Sequence, residues 1–73
     1  MKGGETMNAN LLRGAIAVAG MNVEAVAKKM NISHMAFYNK LNGATEFNRA
    51  EMSSIKKILK LNNTEFIKIF FDH

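Results

Sequence analysis

The chain has 73 residues, a formal net charge of +4, no cysteine and no proline. That length allows one domain with a small core, and without cysteine neither a disulfide nor a thiolate metal site reinforces it. No apolar run approaches the roughly 20 residues of a membrane span, and the opening MKGGETMNAN lacks the apolar segment of a secretion signal, so a cytoplasmic protein is expected.

Residues 1–7 read as a flexible polar lead containing Gly3-Gly4, and residues 8–73 as a single domain. Met1 and Met7 are both candidate starts. The first helix is expected from Asn8 to Ala19, because Leu12, Ala15, Ile16 and Ala19 recur at the spacing of one buried helical face. Gly20 supplies a stop. Asn22 is placed to cap a second helix through its side-chain oxygen, with Val23, Val26, Ala27 and Met30 as its apolar stripe. Asn31 tolerates a left-handed backbone better than most residues, and suits a tight turn in which Ile32 is the buried residue.

Ser33 caps a third helix, His34 to about Leu41, with Phe37 and Leu41 facing inward. Gly43 ends it, and Phe47 is expected to fold back onto the core. Asn48 caps a fourth helix, Arg49 to Lys60, in which Met52, Ile55 and Leu59 repeat at helical spacing. Asn63 or Thr64 starts a fifth, with Phe66, Ile69 and Phe70 as its apolar face. No stretch alternates with the period of a strand, so the expected fold is all-α.

Charge distribution adds to this. No Asp or Glu occurs between Ala25 and Thr45, whereas Lys28, Lys29 and Lys40 do. A segment free of acids does not repel phosphates. Two short helices lie inside it, joined by a brief turn, and the second carries His34, Met35, Tyr38, Asn39 and Lys40 off its buried face. A helix fits the B-DNA major groove, and residues near its N-terminus reach base edges. Ala27 is small where the two helices are expected to cross.

The run NVEAVAKKMNISHMAFYNKLNG resembles the helix-turn-helix of the phage repressor and Cro family, also called XRE-like. Asn22, Ala27, Lys28-Lys29, Met30, Ile32-Ser33, Phe37 and Asn42-Gly43 all fall in its register. The likeness covers about Asn10 to Phe71 and implies a compact five-helix lambda-repressor-like DNA-binding domain. It implies a sequence-specific transcription regulator, a Cro-like protein or small repressor of phage or prophage type, acting on a double-stranded operator as a dimer. By register, the base-reading positions are His34, Met35, Tyr38 and Asn39. Asn39 suits adenine, His34 a guanine or a phosphate, and Met35 and Tyr38 thymine methyls. Ser33, Lys40, Asn42, Arg49 and Lys28 are the expected backbone contacts, although the face that Lys28 and Lys29 occupy is left open. Val23 departs from the family, which usually has a phosphate-contacting glutamine directly after the cap. Asn31 also stands where glycine is commoner.

Elsewhere the plain readings prevail. Lys56, Lys57, Lys60 and Lys68 are expected to form a solvated face, and the six methionines to fill the core. One helix cannot bury Ile67, Ile69, Phe70 and Phe71 together on a small core, so Ile67 and Phe71 are candidate dimer contacts. Only His34 and His73 offer imidazoles, and no nucleophile–base set, carboxylate pair or phosphate-cradling glycine loop is legible. Neither catalysis, a metal, a cofactor nor a small-molecule ligand is expected. The alternative reading is a protein-interaction module or an antitoxin on the same fold, motivated by Val23, the small charge excess and the apolar last helix.

Overall fold

The computed structural model describes residues 7–71. They form five helices and no strand: α1 (Ala9–Val18), α2 (Val23–Lys29), α3 (His34–Leu41), α4 (Arg49–Ile58) and α5 (Asn63–Phe70). Each starts on a residue whose side-chain oxygen accepts from a backbone N–H three residues on. These are Asn8, Asn22, Ser33, Asn48 and Asn62. At Asn48 and Asn62 the bond is reciprocal, because Glu51 and Glu65 reach back to the cap's own N–H. With both groups satisfied, the ends of α4 and α5 are fixed locally.

The first four helices also stop alike. Gly20, Asn31, Gly43 and Lys60 adopt left-handed backbone, with φ of 74°, 64°, 87° and 54°. Behind each, two backbone N–H groups fold back onto the carbonyls of the last turn. Asn31 N–H donates to the Lys28 carbonyl at 3.0 Å and Ile32 N–H to that of Ala27 at 3.0 Å; Lys60 and Leu61 do the same to Lys57 and Lys56. This pairing is a Schellman motif, and it satisfies carbonyls that the helix leaves bare. Three connections therefore share one chemistry: Gly20-Met21-Asn22, Asn31-Ile32-Ser33 and Lys60-Leu61-Asn62 each comprise a left-handed residue, an apolar residue and a cap. Only the α3–α4 connection is longer, and Phe47, buried within it, pins it to the core.

One core unites the elements. Leu12 and Ile16 of α1 meet Val26 and Ala27 of α2, Phe37 and Leu41 of α3, Ile55 of α4, and Ile69 and Phe70 of α5. Phe37, Phe47 and Phe70 run through it in sequence, with ring centroids 5.5 and 5.8 Å apart and edge-to-face geometry, the favoured arrangement for aromatic pairs. Ala27 is 1% exposed, as its small size requires where α2 packs against α3.

Three expectations need correction. Ala19 is exposed, since it caps α1 beyond the buried stripe. Ile32 is half-buried, packing on the core's edge. The fourth helix ends at Ile58, because Lys60 turns left-handed. The fifth helix starts at Asn63 as expected, with Asn62 as its cap. Of the lead assigned to residues 1–7, residues 1–6 lie outside the described residues, as does His73. Met7 packs against the core, and the Asn8 N–H donates to the Ile69 carbonyl at 2.6 Å, tying the start of α1 to the end of α5.

Candidate functional site

The outer face of α3 follows from its inner one. Phe37 and Leu41 face the core, so Met35 and Asn39, one turn apart, fall on the opposite side, and both are exposed. Met35 keeps 65% of its surface, a large value for an apolar side chain. His34 and Tyr38, also one turn apart, occupy one flank. Their rings lie 5.2 Å apart and tilted by 54°, with His34 exposed and Tyr38 half-buried. Ser33 is held by its own capping bond to the Ala36 N–H at 3.0 Å. The four expected base-reading residues therefore lie together on one surface of one helix.

The opposite flank is built differently. The Lys40 ammonium lies 3.2 Å from Glu51 Oε1, donates to the Glu46 carbonyl at 3.3 Å, and sits 5.9 Å from the centre of the Phe47 ring. The sequence alone suggests Lys40 as a free phosphate partner, but it is engaged inside the fold. Glu51 and Phe47 follow it in the chain by several residues, so its own neighbourhood gives no hint of them. The contact fastens the last turn of α3 to the first turn of α4. Arg49 and Asn42 stand exposed near that junction, Asn42 as the cap ending α3. Lys28 is exposed on the last turn of α2.

Beside His34 and Tyr38 opens a cleft of about 420 Å³ between α1, the start of α2 and α3. Arg13 of α1 lines it together with Val23 and Glu24 of α2. Val23 brings no donor to it. Nothing in the sequence singles out Arg13, because it lies on the polar side of α1, and only the packing of α1 on α2 brings it to the cleft that α3 also borders.

The remaining lysines divide. Lys57, Lys60 and Lys68 are exposed as expected, whereas Lys56 is half-buried. Its ammonium donates to Asn63 Oδ1 at 2.6 Å and lies 5.4 Å from the centre of the Phe66 ring. Ile67 and Phe71, the candidate dimer contacts, keep 55% and 46% of their surface, and Leu11 of α1 keeps 43%. Among the described residues no three of the His, Asp and Glu side chains gather as a metal site would need, and no helix is long and apolar enough to cross a membrane. Comparison with protein-family models, with curated proteins and with solved structures returns no match.

Proposed function

We propose that this protein is a sequence-specific double-stranded DNA-binding protein, a small transcription regulator of the repressor or Cro kind that inserts α3 into the major groove. The observation that carries this reading is the outward face of α3, where Met35 and Asn39 are exposed and flanked by His34 and Tyr38. These side chains combine donors, acceptors and apolar surface, the mixture needed to read base edges. The stretch from Ala25 to Thr45, which includes that face, carries no acid of its own, so repulsion toward phosphates comes only from neighbours outside it, such as Glu24 in the adjoining cleft. Ser33, Asn42, Lys28 and Arg49 supply backbone contacts around it, and Lys40 acts by holding α3 in place. Ile67 and Phe71 are proposed to meet a second copy, so that two α3 helices address two half-sites.

Selection of bound sites from a random duplex library tests this. One enriched, palindromic site is expected. Asn39→Ala then costs about 1–3 kcal/mol at a particular base pair and relaxes the preference there. Absence of any enriched site, or an unaltered preference in the Asn39→Ala protein, overturns the assignment.

A further inference from the structure

The chain contains two arginines, Arg13 and Arg49. Both are exposed, and neither makes a hydrogen bond or ion pair among the described residues. They come from different helices, yet they stand at opposite flanks of α3. Arg49 begins α4, which the Lys40–Glu51 contact fastens to the last turn of α3. Arg13 lines the same open cleft as His34 and Tyr38.

A helix with its side chains is about 10–12 Å across, close to the roughly 12 Å width of the major groove. Once seated, it is flanked on both sides by phosphate backbone. Whatever protrudes beside such a helix sits at phosphate level. A guanidinium matches the geometry of a phosphate through paired N–H donors, and an arginine with no partner among the described residues surrenders none of theirs on binding. Glu24 also lines the cleft, and it disfavours a phosphate held deep between α1 and α2. The contact therefore belongs at the mouth of the cleft, where the exposed Arg13 is open to solvent.

We infer that Arg13 is a phosphate-binding residue, and that α1 extends the DNA footprint past the N-terminal flank of α3 as Arg49 does past the other. This rests on the DNA-binding reading proposed above and adds to it a contact from outside the α2–α3 segment. It also gives the cleft a role that Val23, lacking a donor, cannot fill.

The test compares the whole chain with its Arg13→Gln variant on the duplex selected by the unaltered protein, across a range of salt concentrations. Arg13 is exposed, so the substitution removes charge without opening the core. The expected result is affinity lower by about tenfold at 0.1 M salt, with the salt dependence flattened by about 0.9 in log–log slope, the share of a single phosphate. The ranking of duplex sequences stays the same, because a backbone contact carries no sequence information. Unchanged affinity and slope in Arg13→Gln, alongside a clear loss in Asn39→Ala, overturns the role of Arg13 while leaving the DNA-binding reading intact. Failure of the unaltered protein to bind any duplex overturns both.

Discussion

Lys60 holds a left-handed backbone, with φ of 54°, where a Cβ costs roughly 1–2 kcal/mol. Its side chain is exposed. Lys60→Gly relieves the strain and gives part of it back as unfolded-chain entropy, so urea denaturation is expected to show a gain of up to about 1 kcal/mol. Gly43→Ala runs the other way. Nothing lies within 4 Å of the Cβ it would add, yet φ is 87°, so a loss of about 1 kcal/mol is expected from backbone strain alone. A Gly43→Ala protein as stable as the original would contradict this account. The two positions also show what can be read from residue identity. Asn31 and Gly43 announce left-handed turns by their chemistry, whereas Lys60 continues a helical pattern up to the residue where the chain reverses. Asn62 is likewise obscured, since Asn62, Asn63 and Thr64 are all competent caps and only the reach of Glu65 selects the first.

At the scale of the element, Glu51 does two jobs with one oxygen. Its Oε1 accepts from the Asn48 N–H at 2.9 Å and lies 3.2 Å from the Lys40 ammonium. Glu51→Gln retains a carbonyl for the cap and loses the charge, whereas Glu51→Ala loses both. The alanine variant is expected to cost about 1–2 kcal/mol, and the glutamine variant less than about 1 kcal/mol, since a partly exposed ion pair contributes modestly. Thermal melts of both variants measure the difference. Equal losses would place the whole contribution in the ion pair and none in the cap. The helices themselves are legible in the sequence: spacing of apolar residues locates all five, and Phe37, Leu41, Ile55 and Phe70 are buried as expected. Contacts between elements distant in sequence are not. Neither the tethering of Lys40 nor the arrival of Arg13 beside α3 has a local signature, because each depends on how two helices pack. The turn before α3 is also less distinctive than it reads. The same three-residue chemistry joins α1 to α2 and α4 to α5, so support for the proposed function comes from the exposed face of α3 and its flanks, not from the turn.

For the whole molecule, the small core depends on few side chains. Phe47 is 6% exposed and stacks edge-on between Phe37 and Phe70, although it belongs to a connection and not to a helix. Phe47→Ala is expected to cost about 3–5 kcal/mol, against a total stability of about 5–15 kcal/mol for a typical domain. Circular dichroism at 37 °C should show a large unfolded fraction, and retention of a sharp transition within a few degrees of the original would refute its central role. Because Phe47 also packs beneath Lys40, its removal is expected to loosen the α3–α4 junction first.

The bond from the Asn8 N–H to the Ile69 carbonyl joins two points separated by nearly the whole described chain. Short turns let neighbouring helices dock early, but this closure waits for a long segment to be gathered and bears the full entropy of that search. It belongs among the last native contacts to form. Deuterium uptake at that amide should thus report the opening of the molecule's seam, and loss of the terminal helix would free the first one as well.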